Sequence, residues 1–223
     1  YSLLFLIEGL PKERFQPVVI FRGGHGLMDQ FRKAGAEVRV IEPPRPVRLG
    51  GAALSGIPVM GSILSGLQKI VNAITGLLVP ALRFRRLLRA ERADLVHLNN
   101  SITRNHDWLL GAWLAGIPCI THERGINPAY DRLARLAAPR YGAIICISEA
   151  VRRGLAAHGI ATERAWVVHN GLDPERLRPQ RSPDEIRECF SIAGDRPVIG
   201  MLGNLKEWKG QHTVIEALAI LRR

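Results

Sequence analysis

Cysteine is scarce in this chain, and acidic residues are outnumbered by basic ones. The three cysteines, Cys119, Cys146 and Cys189, are odd in number and far apart, and no Cys/His spacing matches a zinc site. Two of them lie in apolar, strand-like runs, which reads as buried reduced thiols in a reducing compartment. There is no low-complexity tract and no repeat at a solenoid period. Residue 1 is not Met and no basic run opens the chain, so the start does not read as a signal peptide. Tyr1 already stands inside an amphipathic pattern, and the chain reads as a piece of a longer one. Asp and Glu number 20 against 31 Lys and Arg, mostly arginine, giving a formal net charge of +11 and a pI of about 10.5. That surplus suits a polyanion, an anionic membrane surface or phosphorylated substrates, without choosing among them. A hydrophobic content of 47% and a charged content of 23% exclude wholesale disorder, and 223 residues suffice for a full core.

The apolar pattern alternates between helix and strand. Tyr1 to Leu10 puts Leu3, Leu4, Ile7 and Leu10 on one helical face, and Pro11 ends it. Pro17 to Phe21 reads as a strand, and Gly23-Gly24-His25-Gly26 opens a helix carrying Leu27, Phe31 and Ala34 up to Gly35. Glu37 to Ile41 is a further strand, closed by Pro43-Pro44. This order predicts an α/β, doubly wound parallel sheet whose first strand lies before Tyr1. Leu49 to Gln68 carries no charge but is interrupted by Gly50, Gly51, Gly56, Pro58, Gly61 and Gly66. A second uncharged run, Ile70 to Leu82, leads into Arg83, Arg85, Arg86, Arg89 and Arg92. A bilayer span, helices lying in a membrane interface, and packed core helices with a solvated exit all fit that composition.

Asp94 to Leu98 reads as a strand leading to Asn99-Asn100-Ser101, and Trp108 to Ala115 as a helix ending at Gly116. Ile117 to Thr121 is the next strand, left through His122-Glu123-Arg124-Gly125. The chain then centres on Tyr141 to Asp173. There, Gly142 to Ile147 is a short β-branched run, Ser148 an N-cap with Glu149 in the first turn, and Gly159 a helix stop. A second strand, Ala165 to His169, ends in the turn pair Asn170-Gly171, followed by Asp173-Pro174. His97, Asn99, His122 and Ser148 all fall at carboxyl ends of strands, where open α/β sheets bind ligands. Beyond Asp173 a proline- and arginine-rich linker meets a capping box, Ser182-Pro183-Asp184-Glu185, opening a helix that ends near Ile192 to Gly194. Pro197 to Leu202 then reads as a strand, Gly203 to Gly210 as a glycine-bounded loop, and the last helix carries Val214, Ile215, Leu218 and Leu221. Such a loop aims backbone N–H groups and a helix dipole at an anion, and Lys209 adds a full charge; a solvated surface lysine is the plain alternative. For His122 the plain alternative is a structural hydrogen-bonder.

A strand ending in Ser148-Glu149, a helix, Gly159-Ile160, a strand and Asn170-Gly171-Leu172-Asp173 resembles the end of the N-terminal domain in glycosyltransferase family 4. DLVHLNNS at 94–101 and AGIPCITHERG at 115–125 extend the likeness; His169 stands where the family usually has Pro. The resemblance implies the GT-B fold, two Rossmann-like domains facing across a cleft. Residues 1–174 would form the acceptor-side domain, 175–195 a linker and helix, and 196–223 the opening βα unit of the donor domain. It implies a retaining, metal-independent, hexosyltransferase-type enzyme moving a sugar from a nucleotide diphosphate sugar to an acceptor hydroxyl, with no cofactor beyond the donor substrate. His122 would be catalytic, near the donor sugar. Lys209, Gly203 and Asn204 would hold the donor diphosphate, although Asn204 replaces the usual Arg. Asn99, Asn100, Ser101, Glu123 and Arg124 would lie on the acceptor side, with forming the loop the equal alternative for the first three and fixing the orientation of His122 the alternative for Glu123 and Arg124; Ser148, Glu149, Asn170, Gly171 and Asp173 would form the structural motif. The family's E-x7-E glutamate pair occurs nowhere in the chain and would follow Arg223, so residues 1–223 alone are expected to be inactive. Expected partners are a nucleotide-sugar donor, a glycan or lipid-linked acceptor and an anionic membrane surface, in a cytoplasmic protein peripheral to the membrane and serving cell-surface polysaccharide, lipopolysaccharide or glycolipid synthesis. The alternatives are a nucleotide-sugar 2-epimerase of the same fold and a basic nucleic-acid-binding module. The Ser-Glu and Asn-Gly-Leu-Asp pattern argues against the first. Arginines scattered rather than interleaved with aromatics argue against the second, so no nucleic acid is expected.

Overall fold

A computed structural model describes residues 2–42, 67–99, 101–171, 173–194 and 197–221. The chain divides into two compact units, Tyr1–Leu172 and Asp173–Arg223. Asn100 and nearly all of the uncharged stretch 49–68 lie outside the described residues.

The first unit opens with α1 (Ser2–Gly9), β1 (Val18–Arg22), α2 (Met28–Lys33) and β2 (Glu37–Ile41). Gly35, at φ +86°, takes the left-handed turn that stops α2 and returns the chain to β2. The two strands pair in parallel from Val18 opposite Glu37 to Arg22 opposite Ile41. Leu4, Ile7, Val19, Phe31 and Ala36 bury a small core between them and the helices.

After helical residues 67–73 and a π-helical turn, Ile74–Leu78, come α3 (Val79–Ala90), β3 (Val96–Leu98), α4 (His106–Ala115) and β4 (Cys119–Glu123). Next are α5 (Arg132–Ala137), β5 (Ala143–Cys146), α6 (Glu149–Ala157) and β6 (Ala165–Val167). These four strands form a parallel sheet in the order β3-β4-β5-β6. Ser148 caps α6 as its position demands: its Oγ accepts from the Val151 N–H at 3.3 Å, and Gly159 leaves the helix at φ +71°. Ile144 and Leu155 are fully buried, each contributing about 1.5–3 kcal/mol. On one side of the sheet α3 and α4 press together. Phe84 stacks on Trp108 at 3.8 Å, and a Cβ on Gly111 would come within 2.9 Å of the Ala81 carbonyl oxygen.

The single doubly wound sheet expected from the sequence is here two parallel sheets, β1-β2 and β3-β4-β5-β6. A parallel ladder needs a strand on each side, and in the doubly wound order the position between these two groups belongs to the first strand, which no described residue fills. Side chains join the groups instead. Arg22 Nη2 donates to both oxygens of the buried Asp107 at 2.8 and 2.7 Å, and Ile20 and Ile41 pack against the larger core.

The second unit holds a 3-10 turn (Pro174–Leu177), α7 (Pro183–Cys189), a 3-10 turn (Glu207–Lys209) and α8 (Gln211–Leu221). Its capping box is complete: Ser182 Oγ accepts from the Glu185 N–H at 3.2 Å, and Glu185 accepts from the Ser182 N–H at 2.6 Å. Pro197 to Leu202, read above as a strand, is not one, because this unit offers no other described strand to pair with. Val198 and Ile199 stay 54% and 60% exposed, and Leu218 is also exposed. Among the described residues no helix is long and apolar enough to cross a membrane.

Candidate active site at the carboxyl ends of the strands

The register of the larger sheet builds the site. His97 sits opposite Ile120, so by the two-residue period of side chains it shares a face with His122, one step diagonally on. His97 Nε2 lies 2.6 Å from His122 Nδ1, and the rings stack at 4.8 Å. One nitrogen donates and the other accepts, so at least the accepting imidazole is uncharged. Burial, then the nearby Arg124 guanidinium, then His97 push the His122 pKa down to about 4. Burial and Arg124 lower that of His97 as well. At neutral pH the site therefore presents an uncharged imidazole fixed by a second one.

Arg124, at the mouth of β4, is half-buried. Its Nε donates to Asn99 Oδ1 at 3.0 Å, its Nη2 donates to the same oxygen, and Nη1 donates to Asn170 Oδ1 at 3.1 Å. The turn pair after β6 is thereby tied to the loop after β3. Glu123 behaves differently from the acceptor contact expected of it. It is 0% exposed, Oε2 accepts from the Ile102 N–H at 3.0 Å, and Oε1 accepts from Asn127 Nδ2. Both oxygens are spent inside the protein, so Glu123 anchors the 101–102 loop; a strand side chain next to His122 must face the opposite way, into the core. Burial raises its pKa against these hydrogen bonds. Ser101 Oγ accepts from the Thr103 N–H at 3.2 Å and from Asn127 Nδ2 at 3.0 Å, a loop-forming role. Ser148 and Glu149 start α6, and Asp173 Oδ1 accepts from the Glu175 N–H at 3.0 Å to cap the 3-10 turn after Gly171.

In the second unit the loop 203–210 closes on itself. Gln211 Nε2 donates to the Asn204 carbonyl oxygen at 3.0 Å, Lys209 Cδ approaches Gly203, and Gly210 turns at φ +74° into α8. Gly203, Asn204 and Lys209 are thus brought together, with the Lys209 ammonium 4.3 Å from the centre of the Trp208 ring. The sequence reading missed the His97–His122 pair and Asn127, which links Ser101, Glu123 and Tyr130. His97 was visible at a strand end, but its partner depends on strand register.

The sequence matches Glycosyltransferase Family 4 over residues 22–176. No curated protein sequence matches it. Crystal structures of Anabaena Alr3699/HepE are similar. The complex with UDP and glucose has a TM-score of 0.67 at 20% identity, covering 98% of this chain and 54% of that one. The complex with UDP-glucose gives 0.67 at 20%, covering 98% and 53%, and the complex with UDP gives 0.65 at 19%, covering 98% and 53%. The chain spans about half the length of these solved structures, and the likeness shows the GT-B fold. With its family match running from the end of β1 to the turn beyond Asp173, the chain belongs to glycosyltransferase family 4.

Proposed function

We propose that this chain carries the acceptor side and the start of the donor side of a retaining glycosyltransferase, which moves a sugar from a nucleotide diphosphate sugar to an acceptor hydroxyl. The observation that carries this reading is His122 held by His97 at the carboxyl end of β4 in a chain of this family, where burial pushes its pKa down to about 4. A neutral imidazole accepts or donates a hydrogen bond to a sugar hydroxyl without opposing positive charge that develops at the sugar. Lys209, in its closed loop, would stabilise charge on the departing diphosphate without a metal. Because the chain spans about half of the solved structures it resembles, transfer is proposed for the enzyme that contains it, and residues 1–223 by themselves are expected to lack it. In that enzyme Lys209→Ala should lower turnover more than it weakens donor binding, each charge-assisted contact being worth about 1.5–3 kcal/mol. His122→Ala should slow turnover and spare nucleoside diphosphate affinity. Normal turnover and nucleotide affinity in Lys209→Ala would overturn the donor-site assignment.

The same reading places the enzyme on the cytoplasmic face of a membrane, building a cell-surface polysaccharide, lipopolysaccharide or glycolipid. Leu67, Ile70, Ile74, Leu78 and Leu82 are exposed at helical spacing, while Pro80, Ala81, Phe84 and Leu88 turn inward. From residue 43 to residue 90 the sequence has no Asp or Glu but carries Arg45, Arg48, Lys69, Arg83, Arg85, Arg86 and Arg89, a charge complementary to anionic lipid. The free thiols Cys119, Cys146 and Cys189 support a reducing compartment. Replacing Arg83, Arg85, Arg86 and Arg89 with Gln should weaken binding to phosphatidylserine-containing vesicles by about 1 kcal/mol for each residue near the surface. Unchanged partitioning would remove the membrane from this reading.

A further inference from the structure

Among the described residues, Arg124 is a half-buried cation whose hydrogen-bond partners are neutral. Asn99 and Asn170 supply amide oxygens, and burial with Arg124 itself lowers the pKa of both neighbouring imidazoles. Among the described residues no carboxylate forms an ion pair with it; the ion pairs there join other arginines, among them Arg22 with Asp107 and Arg39 with Glu37 and Glu91. The adjacent Glu123 directs its oxygens to Ile102 and Asn127 instead. A charge withdrawn from water is ordinarily paired, and leaving it unpaired is costly unless a ligand completes it. Three of the five guanidinium N–H groups are spent on the two asparagines, which leaves one on each of Nη1 and Nη2. They lie at the carboxyl ends of β4 and β6, where this class of sheet takes its ligands.

We propose that Arg124, fixed by Asn99 and Asn170, binds an anionic group of the acceptor, a phosphate or a carboxylate, so that the acceptor is a charged molecule and not a neutral sugar alone. The assignment to the acceptor rests on the transferase reading above. A guanidinium oriented by two amides matches the paired oxygens of such a group, and the surrounding neutral imidazoles leave its charge undiminished. The two neighbouring histidines also respond to it: Arg124 is among the causes that hold both in the uncharged form, and an anion on Arg124 would relieve that part.

The test follows the ring signals of His97 and His122 by NMR in the isotope-labelled chain, at pH 7.5 and fixed ionic strength, during titration with inorganic phosphate and, separately, acetate. Saturable shifts of both rings are expected, with affinity at least tenfold weaker in Arg124→Gln and partly kept in Arg124→Lys. Asn170→Asp, a substitution at an exposed position, sets a carboxylate against Arg124 and should block the anion while leaving the fold intact. Absence of saturable shifts, or identical titrations in all these variants, would overturn the site. Competitive displacement of phosphate by UDP would assign it to the donor and overturn the acceptor role. In the complete enzyme, Arg124→Gln should raise KM for charged acceptors at least tenfold. Undiminished transfer to every charged acceptor in that variant sinks the proposal and leaves the transferase standing. Failure to bind or turn over any nucleotide sugar removes both.

Discussion

The two units hold their candidate sites in opposite ways. In the first, His97, His122 and Arg124 sit on a sheet whose core includes Tyr141, Ile144 and Leu155, and Glu123 is locked beneath them. In the second, among the described residues, the loop around Lys209 is closed by local bonds, and none of the hydrophobic residues described in α7 and α8 is buried. A site built on packed strands has its geometry imposed from below; a site closed by one side chain and a left-handed glycine carries its geometry within a few residues.

The contrast is sharpest for the thiols. Cys119 and Cys146 are buried, and burial pushes their pKa values up to about 12 and about 11, whereas Cys189 is exposed. A chromogenic disulfide reagent should titrate one thiol rapidly in the native chain and three after denaturation, with the buried pair slower by orders of magnitude. Rapid reaction of all three would mean that the first unit opens as readily as the second. Next in size is a methyl group at two glycines. Gly111→Ala would drive its Cβ into the Ala81 carbonyl and Phe84, and should destabilise the first unit by about 1–3 kcal/mol in chemical denaturation. Gly200→Ala, with nothing within 4 Å, should change stability by about 0.5 kcal/mol or less. Equal effects would erase the distinction. The remaining effect is in pH. His122 titrates near 6.5 when unfolded and near 4 when folded, so the unfolded chain takes the proton first. Its contribution is full above about pH 7 and is lost as pH falls from 6.5 toward 4, with His97 acting in the same sense. Glu123, shifted upward, works in the opposite sense, and a Glu123→Gln background removes it. In that background the urea midpoint should fall between pH 7.5 and pH 5, and a His97→Asn, His122→Asn double variant should flatten the fall. An unaltered fall in the double variant would assign the pH response to other groups.

Local chemistry was legible in the sequence, and pairing was not. Ser148, Gly159 and the Ser182–Glu185 box declare themselves because a cap depends on three or four neighbouring residues. Glu37 to Ile41 was read to the residue, since β-branched alternation between a glycine and two prolines leaves little choice. Pro197 to Leu202 has the same local look and forms no strand, because a strand exists only with a partner. The site divides along the same line. His122 and Arg124 were picked out as strand-end residues, but the bond from His97 and the one from Asn170 cross 25 and 46 positions and depend on register. The burial of Glu123 was not legible either, because alternation faces it away from its neighbour, a fact about the sheet and not about the residue.

The π-helical turn at Ile74–Leu78 gives the exposed stripe its straightness. A step of four residues overshoots one α-helical turn by about 40°, so a row of side chains spaced by four winds round an ordinary helix. A turn closed by i→i+5 bonds, as from the Val79 N–H to the Ile74 carbonyl, needs more than four residues to come round and winds that row back. Ile70, Ile74, Leu78, Leu82 and Arg86 are spaced by four throughout, and the wide turn falls in the middle of the series. The wide turn takes in one residue more than an α-helical turn, so deleting Gly76 would restore a plain α-helix and leave residues 67–73 facing nearly the same way against Val79–Ala90.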